Sequence, residues 1–106
     1  MKRKTLKKEA ILNEAVRVLK DSYHPKQVEE VGSVILGIIV DTYKEGNIVD
    51  LGVGKSYLKL RKNNSNFSPT KTHSIVFRGE VSPEVQEPLI KEAMEDTSLF
   101  EMLYSR

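Results

Sequence analysis

The chain has 106 residues, 39% hydrophobic and 30% charged, with a formal net charge of +2 and no cysteine. This length and balance predict a single soluble globular domain with a modest core, and the absence of cysteine excludes disulfides and thiolate metal sites. The longest apolar run, Val34 to Val40, is broken by Gly37 and is too short for a bilayer; the basic MKRKTLKK start is followed by charged, amphipathic chain unlike a signal peptide.

From about Thr5 to Lys20, the residues Ile11, Ala15 and Leu19 recur at helical spacing, with Leu12, Val16 and Val18 beside them. The break Asp21-Ser22-Tyr23-His24 precedes Pro25, which is suited to a first helical position because its missing N–H would have no intrahelical partner there. A second helix is expected from Pro25 to about Glu45, with Val28, Val31, Ile35, Ile38 and Ile39 on its apolar face and Gly46 as its stop. Its middle, VILGIIV, is apolar nearly all round, which predicts burial on more than one side. Gly32 and Gly37 each disfavour a helix interior by about 1 kcal/mol, a cost that close helix–helix approach offsets. A domain this small has little to cover such a helix, so a partner chain is expected to supply part of the core.

After Gly46 the period changes to that of strands. Ile48 to Leu51 reads as a short strand, Gly52-Val53-Gly54 as a turn or bulge, and Tyr57 to Arg61 as an alternating strand. Leu58 and Leu60 would face one side, with Tyr57, Lys59 and Arg61 on the other. Asn63 to Thr72 is a polar, Pro-containing tip, and His73 to Arg78 is the returning strand, with Ile75 and Phe77 on the side of Leu58 and Leu60. Charge is segregated along the same stretch. Between Leu51 and Gly79 there are six basic residues (Lys55, Lys59, Arg61, Lys62, Lys71 and Arg78) and no acid, whereas residues 9 to 50 hold eight acids against four bases and residues 80 to 106 seven against two. A basic hairpin of this kind suits a polyanion, since Lys and Arg displace counterions condensed on phosphates.

Ser82-Pro83-Glu84 has the composition of a helix start. Pro88 argues for a short turn there, with the helix beginning near Glu87. Asp96-Thr97-Ser98 reads as a further cap before LFEMLY, a short apolar segment in which Leu99, Phe100, Met102, Leu103 and Tyr104 would be costly to leave in water and suit a protein contact. The fold class expected is α+β: two helices, a three-stranded antiparallel β-sheet with a protruding basic hairpin, and a carboxyl-terminal helix.

This order, carried by YHPKQVEEVGSVILGIIVDTYKEG followed by NIVDLGVGKSYLKLRK, resembles the HU/IHF family of bacterial DNA-architectural proteins. Lys44-Glu45-Gly46 fills the family's turn after the long helix, and Gly52-Val53-Gly54 resembles its Gly-x-Gly element. Tyr57 to Arg61 is similar to the strand that begins the DNA-binding arm, and Val76-Phe77-Arg78-Gly79 to the end of the return strand. The similarity spans roughly residues 5 to 95, so residues 1–96 are expected to form the HU/IHF-like domain and 97–106 an apolar extension. It implies a homodimer, or a larger assembly, whose second helices pack together, and arms that grip double-stranded DNA without sequence specificity. Lys55, Lys59, Arg61, Lys62, Lys71 and Arg78 would meet phosphates, and Pro69, with Phe67 as an apolar companion, would take the place of the proline that wedges between base steps. The arm departs from the family in being shorter and in lacking its Gly-Arg-Asn-Pro tip; Asn66-Phe67-Ser68-Pro69 stands there instead.

Other chemistries find little footing. His24 and His73 are the only histidines and have no ligand spacing, so no metal and no cofactor are expected. Gly52-Val53-Gly54-Lys55-Ser56 lacks the leading glycine of a phosphate-binding loop, and a strand rather than a helix follows it. No nucleophile–base pair stands out, so a non-enzymatic protein is expected. The leading reading is a nucleoid-associated, cytoplasmic DNA-binding protein. The alternative is a bacteriophage virion structural protein, a ring or connector near the portal, that uses the same fold for assembly with other virion proteins. A regulator that pairs with an HU-like subunit is a third.

Overall fold

The computed structural model of the chain describes residues 3–62 and 72–104. In chain order they form α1 (Lys8–Val18), α2 (Pro25–Lys44), β1 (Val49–Asp50), β2 (Gly54–Lys62), β3 (His73–Val81), α3 (Pro83–Glu95) and α4 (Thr97–Tyr104). The three strands make one antiparallel sheet in the order β1-β2-β3. Two compact units result. One holds α1, most of α2, the last part of α3, and α4. The other holds the end of α2, the sheet and the start of α3.

In the first unit, α1 begins later than its periodicity suggests and carries no side-chain cap. The start of α2 is better defined. The backbone N–H of Lys26 donates to His24 Nδ1 (3.2 Å), and the N–H of His24 donates to Gln27 Oε1 (3.1 Å). This is a capping box with histidine in the place of serine, and it satisfies donors that the first turn cannot. Along α2, Val28, Gly32, Leu36 and Ile39 are buried or half-buried. At Gly32 a Cβ would stand 2.6 Å from Leu12 Cδ2, so this glycine admits an α1 side chain onto α2. The rest of the apolar sequence is uncovered within the chain: Val31, Val34, Ile35 and Ile38 are each between 53% and 60% exposed. Gly37 likewise has nothing within 4 Å of a Cβ. On α1, Arg17 hydrogen-bonds Glu14 and holds its carboxyl below the usual range; the pair is fully exposed, so solvent screens it.

In the second unit, α2 ends in a Schellman motif. Gly46 takes φ +82°, its N–H donates to the Tyr43 carbonyl (3.0 Å), and the N–H of Asn47 donates to the Thr42 carbonyl (3.1 Å). Gly52, at φ +93°, turns β1 into β2 while its N–H donates to Asp50 Oδ1 (2.9 Å). The Tyr43 ring meets Phe77 edge-on at 5.4 Å, and its hydroxyl lies 2.6 Å from Ser56 Oγ, which ties the end of α2 to one face of the sheet. Among the described residues of this unit, Val49 is the buried one.

Two expectations are corrected. The return strand runs three residues past Arg78, to Val81, because Gly79, Glu80 and Val81 still find partners in Ser56, Lys55 and Gly54. The third helix does not begin near Glu87: α3 is continuous from Pro83 and contains Pro88. Its first turn is closed on the Ser82 carbonyl by the N–H groups of Val85 (3.1 Å) and Gln86 (2.9 Å). Pro88 withholds the bond that would go to the Glu84 carbonyl. Both residues are exposed, so water can take that carbonyl and the cost stays local. The cap at Asp96 is as expected, with Oδ1 accepting from the N–H groups of Ser98 (3.0 Å) and Leu99 (3.3 Å) at the start of α4.

Candidate nucleic-acid interface

The basic residues of the hairpin are sorted by the register of β2 and β3. Leu58 pairs with Phe77 and Leu60 with Ile75, while Tyr57 pairs with Arg78, Lys59 with Val76 and Arg61 with Ser74. Side chains alternate along a strand, and directly paired residues share a face. One face of the hairpin is therefore apolar, built from Leu58, Leu60, Ile75 and Phe77. The other carries Lys55, Lys59 and Arg61 from β2 and Arg78 from β3, with Tyr57 among them.

The register also distinguishes residues that the sequence presents as equivalent. Lys55 lies directly across from Glu80, so an acid offsets its charge at the base of the hairpin. Toward the tip, the cross-strand pairs of Tyr57, Lys59 and Arg61 contain no acid. Lys62 pairs with His73 and belongs to the apolar side. Of the residues singled out for DNA contact, the structure thus brings Lys59, Arg61 and Arg78 together, adds Lys55 beside a carboxylate, and places Lys62 on the opposite face. Pro69 and Lys71, like Phe67, lie outside the described residues.

Two glycines give the base of this hairpin its geometry. A Cβ at Gly54 would collide with the Glu80 carbonyl and come within 2.8 Å of Val81 Cα. One at Gly79 would collide with the Lys55 carbonyl and come within 3.1 Å of Ser56 Cα. The strands approach so closely here that side chains are excluded from both positions. The sequence marked Gly54 as part of a Gly-x-Gly element but gave no signal for the tight contact at Gly79.

The apolar face of the hairpin is open within the chain, with Leu60, Ile75 and Phe77 between 58% and 67% exposed. Beside it, Leu51, Val53, Phe77 and Val81 line a hollow of about 550 Å³. The protein-contact residues expected in the last helix are partly covered: Leu99 and Met102 are half-buried, while Phe100, Leu103 and Tyr104 are exposed, with the rings of Phe100 and Tyr104 stacked at 5.7 Å. Among the described residues, no group of three or more His, Asp or Glu side chains is placed to hold a metal ion, and no helix is long and apolar enough to cross a membrane.

No family model matches the chain, and no curated protein does. Solved structures do match. A protein from Bacteroides vulgatus to which bacterial DNA binding is ascribed superposes with a TM-score of 0.54 at 17% identity, over 85% of this chain and 38% of that one. The chain thus spans well under half the length of that protein. HU from Anabaena, crystallised with DNA, superposes with a TM-score of 0.53 at 19% identity, over 78% of this chain and 96% of that one. The order of helices, the antiparallel sheet and these superpositions agree: the chain has the α+β fold of HU.

Proposed function

We propose that this protein is a non-enzymatic, HU-like architectural protein that binds duplex DNA through the polar face of the β2–β3 hairpin with little sequence preference. The observation that carries this reading is the sorting of Lys59, Arg61 and Arg78 onto one face of the hairpin, where the cross-strand pairs of Tyr57, Lys59 and Arg61 contain no acid, backed by an apolar face. Cations in a row meet phosphates, which every sequence presents alike. The DNA-bound HU neighbour supports the reading through its fold. Phosphate gripping, rather than bending by Pro69, is the activity assigned to the hairpin. A nucleoid location in the cytoplasm follows from that partner.

The same protein acts as a homodimer in this reading. Val31, Val34, Ile35 and Ile38 form an uncovered stripe on α2, and Gly37 in its midst leaves room for the backbone of a second helix to approach. Covering such side chains is worth about 1.5–3 kcal/mol each at full burial, which a monomer forgoes. The test is the mass in solution together with a mobility shift of mixed-sequence duplex at two salt concentrations. A dimer whose affinity falls steeply with salt is expected. A monomer, or no binding at low salt, would overturn the corresponding half of the proposal.

A second reading, a virion assembly protein, is favoured by one observation: Tyr104 at 81% exposure, beside exposed Phe100 and Leu103 on α4, the segment expected to extend an HU-like domain of residues 1–96. Deleting residues 97–106 would then abolish a protein–protein contact and spare DNA binding.

A further inference from the structure

The two ends of the chain are joined by one side chain. Arg3, in the non-helical segment before α1, donates from Nε to the Met102 carbonyl (3.0 Å) and from Nη2 to the Leu103 carbonyl (2.7 Å). These carbonyls belong to the last turn of α4, where acceptors lack intrahelical donors and the helix dipole is negative. That turn contains no basic residue of its own. Arg3 therefore supplies, from across the sequence, both the donors and the cation that the helix end lacks.

The dependence of α4 on this contact follows from its size. It has eight residues, well below the length at which an isolated helix is stable in water. Its start is secured by the Asp96 carboxylate, so the carboxyl end is where it would fray. At the same time Arg3 is part of the strongly basic segment Lys2-Arg3-Lys4 and Lys7-Lys8. A guanidinium fork binds phosphate oxygens more strongly than neutral carbonyls, because the partner is charged and the geometry bidentate. Both Arg3 bonds are solvent-exposed, so phosphate has access to them.

We propose that Arg3 is a latch with two positions: on the carboxyl end of α4 in the free protein, and on backbone phosphates when the amino-terminal segment meets DNA. DNA binding then loosens α4 and uncovers Leu99 and Met102, its half-buried apolar residues. By linkage, whatever clamps α4 closed lowers the affinity for DNA. This rests on the DNA-binding reading above for its second position only; the first is independent of it.

The experiment is backbone amide exchange by NMR on the full chain, as wild type, Arg3→Ala and Arg3→Lys, without and with a short mixed-sequence duplex at low salt. Without DNA, Arg3→Ala is expected to speed exchange at Leu103 and Tyr104 about tenfold, a modest effect for two lost charge-assisted bonds because both are solvent-exposed, with amides near Val28 unchanged. Arg3→Lys should recover only part, since an ammonium cannot fork. Unchanged exchange in Arg3→Ala would overturn the latch. Duplex should speed wild-type exchange toward the Arg3→Ala rate and add little to that variant. Duplex that binds but leaves α4 exchange unaltered would overturn the coupling. Duplex that fails to bind at all would overturn the DNA reading and the second position together, while the DNA-free comparison would still decide the first.

Discussion

Replacing Lys59, Arg61 and Arg78 together with alanine tests the interface most directly, because the register places them on one face while Lys62, one residue beyond Arg61, lies on the other. Side chains two apart on a strand are separated by about 6.8 Å, twice the axial spacing of phosphates along one DNA strand, so Lys59 and Arg61 need not share a phosphate. Each neutralised phosphate contributes about 0.9 to the slope of log affinity against log salt. Three such contacts give a slope of about 2.7 per hairpin, equivalent to about a 40-fold loss of affinity between 50 and 200 mM salt. The triple variant should lose that part of the salt dependence, and Lys62→Ala should keep nearly all of it. Lys55→Ala should fall between, since Glu80 already opposes that lysine. The assay is a titration of labelled duplex at four or more salt concentrations, with far-ultraviolet circular dichroism to confirm the fold. If Lys62→Ala flattened the slope as much as Arg61→Ala, the face would not be the reader and the reasoning would fail.

Three further outcomes are expected. Gly79→Ala and Gly54→Ala each drive a methyl group into the backbone of the opposing strand and should destabilise by about 2 kcal/mol, read as a lower urea midpoint; a midpoint within error of wild type would show that the strands part at no cost. Gly37→Leu should shift the protein from dimer to monomer in analytical ultracentrifugation, because the side chain fills the space kept for a second helix. A dimer of undiminished affinity would place the interface elsewhere. His24→Ala should cost about 1 kcal/mol through the lost cap of α2, while His24→Asn, which keeps an acceptor for the Lys26 N–H, should cost little; equal losses in thermal unfolding would mean that the imidazole acts by packing alone.

Much of this fold was legible because its signals are local. Pro25 and Gly46 bracket α2, with the glycine in the positive φ that the stop requires. The period of two between Tyr57 and Arg61 separates apolar from basic side chains before any pairing is known, and the hairpin register aligns Leu58 and Leu60 with Phe77 and Ile75 as that period implies. The misreading of α3 arose from the same kind of rule: a proline breaks a helix by default, yet Pro88 withholds a single bond on an exposed face and α3 continues through it.

What the sequence determined by itself, then, was the nature of the segments and the segregation of charge, since both depend on residues close together in the chain. The tertiary structure decided which of the described bases in the acid-free stretch share a face. It set Glu80 against Lys55, turned Lys62 away, and brought Gly79 hard against β2. It also joined Arg3 to Met102 and Leu103, residues 99 and 100 positions away. Contacts at that separation leave no periodicity in the sequence. They arise when packing brings donors and orphaned carbonyls within reach, and no spacing rule encodes them.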